Sequence, residues 1–345
     1  MEIAIIGSGA IGGVLGAYLT RAGEQVVFCD IVKEHVDYIN GTGLTIEGEE
    51  AFTVQGEAYT PEHLLQRGKP LDMVFLCVKG QHTETAMRQI MPLLTEQSAV
   101  VSFQNGLCEN IISELIGKER TIGCFVNFSA DYLEPGRILY GGVSSLFLGE
   151  LDGTISERIL DLQRRLACWG PVNVTDNIWG YLWGKLSYIA LLYATALADE
   201  AMADVVRNRD LREVLMELCS EVLEVAEKEN VCPMGFDDWE PALVYPRGQR
   251  NSMALDAQLE KLSERMATNK KTKSGIWRDL AVRKRKTELE FQLKPILDIG
   301  LKYGLTLPLV SHVTRFIREL ENGERVMDWK NLYDLKAVYD ERRSK

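Results

Sequence analysis

The strongest constraint on this chain lies in its first two dozen residues. Glu2–Ile6 is a short apolar run that leads into Gly7-Ser8-Gly9-Ala10-Ile11-Gly12. Helical spacing follows over Ile11–Ala22, with Ile11, Val14, Leu15, Tyr18 and Leu19 on one face, and Gly23 ends it. A buried strand, a GxGxxG turn and a helix, in that order, open a dinucleotide-binding βαβ unit. Each glycine has a mechanical task. Gly7 allows a tight turn, Gly9 brings bare backbone up to a pyrophosphate, and Gly12 lets the helix lie close to the sheet. The N–H groups and partial positive charge of the helix start suit phosphates, so Ser8, Ala10 and Ile11 join the glycines as cofactor-binding positions. Without that context the same residues would be an ordinary glycine-rich turn.

The alternation continues. Gln25–Cys29 reads as a second strand, Met73–Val78 and Ala99–Phe103 as further β-rich runs, and Thr83–Leu94 as a helix between them. Thr121–Phe128 reads as another strand, and Arg137–Leu151, broken at Gly141–Gly142, as an antiparallel hairpin closing the domain. This is the pattern of an α/β domain with a parallel sheet covered by helices. Ligands bind such sheets at the carboxyl ends of the strands. Asp30 ends the second strand 18 residues past Gly12, where a carboxylate accepts hydrogen bonds from ribose hydroxyls. It would repel a 2′-phosphate, which favours NADH over NADPH; Lys33 nearby softens that repulsion. Lys79 closes the fourth strand in Cys77-Val78-Lys79-Gly80, and Gln104-Asn105-Gly106 follows the next. Asn105 can both donate and accept, and so can grip a nicotinamide or an acyl oxygen.

The texture changes after Pro171–Val174, which places a boundary near residues 171–178 and gives domains 1–174 and 175–345. Beyond it strand signals nearly vanish. Asp210–Glu229, Thr287–Tyr303 and Leu309–Glu321 read as helices, and Cys232–Arg250, with three prolines, as a long surface loop. Trp179–Leu186 starts an apolar helix capped by Asp176 or Asn177, and Lys185 is its one basic residue before Ala198. Such a lysine either snorkels to the surface or is functional; desolvation makes an ammonium a better proton donor near neutrality. Eight basic residues stand between Lys270 and Lys286 against one acid, Asp279. They are either a solvated face or an attractor for an anionic ligand. Ser274-Gly275-Ile276-Trp277-Arg278-Asp279 lies in this stretch, and Thr287-Glu288 follows it.

Composition removes other classes. The chain has 345 residues, 46 % hydrophobic and 26 % charged, which suits two globular domains. A net charge of −11 lacks the electrostatic footprint of a nucleic-acid binder. Seven scattered cysteines without a CxxC pair read as reduced thiols, and the longest apolar stretch, Tyr188–Ala198, is too short to span a membrane. A cytoplasmic location is expected. The four histidines (His35, His63, His82, His312) lack metal-ligand spacing, and there is no GxSxG or Cys–His signature.

The ordered set of GxGxxG, Val78-Lys79, Gln104-Asn105-Gly106, Trp183-Gly184-Lys185-Leu186, Ser274–Asp279 and Thr287-Glu288 resembles the ketopantoate reductase (2-dehydropantoate 2-reductase) family over about residues 1–320. The resemblance implies a Rossmann-type domain followed by an all-α domain, with the active site in the cleft between them. It implies that Lys185 gives a proton to the substrate carbonyl and that Asn105 contacts nicotinamide and substrate. Lys79, Ser129 (after Asn127-Phe128) and Glu288 would line the cofactor, and Ser274 would meet the substrate carboxylate. Two positions depart from the pattern. Asp30-Ile31 stands where NADPH-using members commonly carry an arginine. Ile189 and Tyr193 stand where asparagines bind substrate one and two turns beyond the lysine, which makes the pocket less polar. The expected activity is NAD(P)H-dependent reduction of a small 2-oxo acid such as ketopantoate, in pantothenate biosynthesis. The alternatives are a reductase of the same build acting on another 2-oxo acid, a 3-hydroxy acid or an opine-type amine, and a non-catalytic dinucleotide sensor. The apolar helices of the second domain could support a homodimer.

Overall fold

The computed structural model describes residues 1–268 and 271–343. The chain divides into two compact units, Met1–Ile178 and Trp179–Lys345. The first holds twelve strands: β1 (Ile3–Ile6), β2 (Val26–Cys29), β3 (Leu44–Gly48), β4 (Phe52–Val54), β5 (Glu57–Tyr59), β6 (Leu71–Leu76), β7 (Leu94–Ser102), β8 (Thr121–Val126), β9 (Ala130–Glu134), β10 (Arg137–Tyr140), β11 (Leu146–Glu150) and β12 (Asn173–Val174). Eight form one sheet in the order β12-β11-β8-β7-β6-β1-β2-β5. From β8 across to β5 every neighbouring pair is parallel; β11 runs antiparallel to β8. Alternate residues of β1 feed opposite faces. Ile3 and Ile5 enter one core cluster, and Ala4 and Ile6 the other. This two-sided burial is why the strands read as continuous apolar runs rather than as alternation.

The remaining strands form a smaller sheet, β4-β3-β10-β9. It corrects the expected hairpin over Arg137–Leu151. β10 pairs with β3 and β9, whereas β11 belongs to the large sheet and pairs with β8. The true hairpin is β9–β10, turning at Glu134–Arg137 around Gly136 (φ +76°). Three further strands lie between Leu44 and Tyr59, so Lys79 follows the sixth strand in chain order rather than the expected fourth. The helix Ala10–Arg21 lies between the two sheets. A Cβ at Gly12 would sit 2.7 Å from Ile5 Cγ2, one at Gly16 2.3 Å from Phe28 Cε1, and one at Gly13 2.1 Å from Ile138 Cδ1 of the small sheet. Three glycines inside one helix cost intrinsic helix propensity, and this two-sided packing is what they permit.

The second unit is helical. Strand-like pairing among its described residues is confined to an isolated bridge between Phe236 and Trp239. Ile178–Thr195 is its central apolar helix. The segment Cys232–Arg250 is not merely a surface loop: Phe236, Trp239 and Val244 are buried. Met234 N–H donates to Gly180 O at 2.9 Å, and a Cβ at Gly184 would meet Met234 O at 2.2 Å. The two glycines, one turn apart, open a groove in the helix for this strip of backbone. Trp239 Nε1 donates to Ser187 Oγ at 3.0 Å and locks it there. The expected helix Thr287–Tyr303 is two pieces, Leu289–Gln292 and Lys294–Lys302, separated at Leu293. Pro295 lacks the N–H that would continue the first piece. A final helix, Trp329–Arg343, packs through Leu332 and Leu335. Asn331 Nδ2 donates to Leu197 O at 2.8 Å, and Arg342 reaches the fully buried Glu221 at 3.3 Å. Among the described residues no helix is long and apolar enough to cross a membrane.

Candidate active site

In the first unit, five groups of predicted residues stand at the carboxyl ends of five adjacent parallel strands. The glycine loop Gly7–Gly12 leaves β1, Asp30 follows β2, and Lys79 lies just past β6. Asn105 follows β7, and Ser129 lies beyond β8. The register aligns these ends, since Ile6 pairs with both Cys29 and Leu76, and Leu76 pairs with Ser102. Two loops are tied directly. The buried Gln104 donates through Nε2 to Val78 O and to Thr83 Oγ1, each at 2.8 Å, and so fixes the Lys79 turn beside the Asn105 turn. Lys79 and Asn105 are themselves half-buried. Ser129 O accepts from Gly141 N–H at 2.8 Å, which holds its backbone against the strand that ends at Tyr140.

The glycine loop has the geometry its sequence requires. Gly7 adopts φ +91°, where an added Cβ would also lie 2.9 Å from Val78 N. At Gly12 the Cβ would fall 2.2 Å from Gly7 O. Gly9 is different: a Cβ there meets nothing within 4 Å. Its backbone borders open space, which is the cradle a pyrophosphate needs, and the loop therefore fits a dinucleotide. Asp30 is oriented by two donors, Val32 N–H to Oδ1 at 3.0 Å and the Ser8 hydroxyl to Oδ2 at 3.4 Å. Ser8 is fully buried, and its carbonyl oxygen lies 2.8 Å from His35 Nε2.

In the second unit Lys185 is buried, 8 % exposed, in the middle of the helix Ile178–Thr195. Ile189 and Tyr193 stand one and two turns further on, 5 % and 0 % exposed. Burial pushes the Tyr193 phenol well above its usual range; the Thr287 side chain opposes the shift, and the carboxylates of Glu288, Glu321 and Asp279 add to it. The helix carrying Lys185 thus runs close to the Glu288 segment. That segment is anchored by Glu321 Oε1, which accepts from both N–H and Oγ1 of Thr287 at 2.7 Å. Ser274 is buried and caps the helix Gly275–Ala281, its Oγ accepting from Trp277 N–H at 3.1 Å; its own O–H can still donate.

Part of the basic stretch proves structural. Lys273 pairs with Asp199, to which Trp277 Nε1 also donates at 2.9 Å. Arg283 and Arg285 both bind the buried Asp279, at 3.2 and 2.9 Å. Lys270 lies outside the described residues. Among the described residues no group of three or more His, Cys, Asp or Glu side chains could hold a metal ion. Sequence reading missed Gln104 as the staple between two loops, Gly13 and Gly16 as packing positions, and the place of His35 beside the glycine loop. Gly13 and Gly16 were open to detection as extra glycines on the helix that follows the motif. Gln104 and His35 act through contacts distant in sequence and left no local signal.

A glycine-loop sheet edge of this kind, followed in the same chain by an all-helical unit, defines the class of NAD(P)-dependent oxidoreductases acting on CH–OH groups. Residues 3–153 match the family model described as ketopantoate reductase PanE/ApbA, and residues 177–321 match that of its C-terminal domain. The chain belongs to the ketopantoate reductase family. A 2-dehydropantoate 2-reductase of Mesorhizobium japonicum is 29 % identical over 266 residues, covering 69 % of this chain and 79 % of the relative. The crystal structure of a PanE/ApbA family ketopantoate reductase from Ralstonia eutropha superposes with a TM-score of 0.77 at 25 % identity, covering 94 % of this chain and 99 % of that one. D-mandelate dehydrogenase, in a ternary structure with NADH and anilino(oxo)acetate, shares the fold with a TM-score of 0.78 at 20 % identity, covering 94 % and 99 %.

Proposed function

We propose that this chain reduces a small 2-oxo acid to the 2-hydroxy acid with NAD(P)H, as a 2-dehydropantoate 2-reductase does in converting ketopantoate to pantoate. The observation that carries this reading is the alignment of the glycine loop, Asp30, Lys79, Asn105 and Ser129 on five adjacent parallel strand ends. When bound, the reduced nicotinamide supplies a hydride to the carbonyl carbon. The chain's own residues do the rest. The Gly7–Gly12 backbone holds the pyrophosphate, and Asp30 accepts from the ribose hydroxyls. Lys79, Asn105, Ser129 and Glu288 line the cofactor, Ser274 donates to the substrate carboxylate, and Asn105 orients the carbonyl. Lys185 gives its proton to the carbonyl oxygen as negative charge develops there, which is general acid catalysis by a buried ammonium. The test is a panel of 2-oxo acids offered with NADH and with NADPH, followed by loss of reduced-nicotinamide absorbance. Turnover of none of them with either cofactor would overturn the reading.

Asp30 sets the expected preference. Its carboxylate is fixed by Val32 N–H and the Ser8 hydroxyl, so it cannot swing freely away from a 2′-phosphate. Two like charges about 4 Å apart repel by on the order of 1 kcal/mol even in water, and by more near a protein surface. NADH is therefore expected to bind at least about tenfold tighter than NADPH. Asp30→Asn should narrow that ratio. Fluorescence titration of both cofactors checks it, and a clear NADPH preference in the unmodified chain would refute the electrostatic argument.

A second reading concerns the substrate alone. Ile189 and Tyr193, both buried, extend the helix face beyond Lys185 with apolar bulk. That favours a 2-oxo acid with an apolar substituent other than that of ketopantoate; the fold neighbour D-mandelate dehydrogenase forms a ternary structure with NADH and anilino(oxo)acetate. Ordinary efficiency on ketopantoate in the same panel would end this alternative.

A further inference from the structure

His35 is none of the expected cofactor, substrate or catalytic positions, yet it is fully buried against the glycine loop. It occupies the first turn of the helix Lys33–Gly41, and its ring packs edge-on against Tyr132 of β9, centroids 5.2 Å apart. Gly136 N–H donates to Nδ1 at 2.9 Å. A backbone N–H can only donate, so Nδ1 carries no proton and the neutral ring bears its hydrogen on Nε2. Nε2 lies 2.8 Å from Ser8 O and donates to it. The tautomer is therefore dictated by the neighbours.

The consequence falls on the loop. A pyrophosphate-binding turn directs N–H groups toward its ligand, and its carbonyl groups must find donors elsewhere. Ser8 is buried, so its carbonyl oxygen has no access to solvent. His35 supplies the donor, and the Ser8 hydroxyl reaches Asp30 on the other side. Gly136 is in turn held by Thr45 N–H, which donates to its carbonyl at 2.8 Å. One imidazole thus ties the glycine loop to the β9–β10 turn.

We infer that His35, in its Nε2–H form, is a positioning residue for dinucleotide binding: it sets the Ser8 carbonyl and thereby the direction of the loop's N–H groups. This rests on the dinucleotide-binding reading of the loop. The two ring nitrogens can be tested separately. His35→Gln keeps a donor near the Nε2 position and loses the acceptor for Gly136. His35→Asn keeps an acceptor near Nδ1 and cannot reach Ser8. With NADH as titrant, His35→Gln should bind within about threefold of the unmodified chain, and His35→Asn about tenfold or more weakly, as expected for one buried hydrogen bond. The KM for the dinucleotide should rise with kcat and the oxo-acid KM nearly unchanged, and thermal melting without ligand separates a general loss of stability. Equal binding by His35→Asn, or an equal loss in both variants at matched melting temperature, overturns the inference while leaving the dinucleotide reading intact. Failure of the unmodified chain to bind NADH or NADPH overturns both. Should the variants not fold, nitrogen-edited NMR of the unmodified chain still decides: an Nε2–H ring whose shift moves on adding NADH supports the role, and an Nδ1–H ring refutes it.

Discussion

Lys185→Ala is expected to lower kcat by about 10²–10⁴-fold and to leave dinucleotide affinity nearly intact. The size follows from the chemistry. A carbonyl oxygen that receives a hydride at its carbon becomes an alkoxide, and without a donor it must draw a proton from water in a confined site. Lys185 is buried in the middle of an apolar helix, where it is the one basic side chain. Arginine should not rescue, because a guanidinium keeps its proton across the working pH range. Alanine suits the helix interior, so the fold should persist. Steady-state rates at saturating cofactor, paired with fluorescence binding of NADH, separate the two effects. An unchanged kcat would remove Lys185 from the reaction.

The second large effect comes from a pair of glycines three residues apart. Gly12→Ala places a methyl 2.2 Å from Gly7 O and 2.9 Å from Cys77 Cβ. Neither the backbone oxygen nor the strand end can yield cheaply, and a loss of about 3 kcal/mol or more is expected. In a unit of this size that lowers the melting temperature by roughly 6–12 °C, with dinucleotide binding lost as well. Gly9→Ala should behave in the opposite way. Its added methyl would meet no protein atom within 4 Å, so the melting temperature should fall far less than for Gly12→Ala. The methyl occupies the space a pyrophosphate needs, and NADH affinity should fall by about 10–100-fold. Calorimetry on both variants, with and without NADH, makes the contrast visible. A Gly9→Ala chain that binds like its parent would mean that the loop does not hold phosphate.

What could be read beforehand follows from the range of the forces involved. The glycine loop, and the places of Asp30, Lys79 and Asn105 just past strand ends, were legible because each is specified by residues within one turn of itself. The parallel sheet was legible because strands buried on both faces are uniformly apolar. The small sheet was not. β10 pairs with β3, some ninety residues earlier, and neither strand exceeds five residues, so no local period betrays them. The supposed hairpin over Arg137–Leu151 failed for the same reason, since its two arms satisfy partners in different sheets. In the helical unit Lys185 stood out as a lone cation in an apolar run. Gly180 and Gly184 carry no local sign of their task there: they form the groove that receives Met234 and brings Trp239 onto the helix. Pro295 is the local signal that divides the expected helix Thr287–Tyr303.

The last helix, Trp329–Arg343, carries a practical lesson for anyone preparing this protein. The family match ends at residue 321, so trimming by homology would delete it. Deletion would uncover the apolar seat of Leu332 and Leu335, leave the Leu197 carbonyl without Asn331, and strip the arginine partner from a carboxylate sealed in the interior. A shortened version would come out of expression sticky and half-collapsed, and its silence in an assay would be blamed on the chemistry when the fault lay with the scissors.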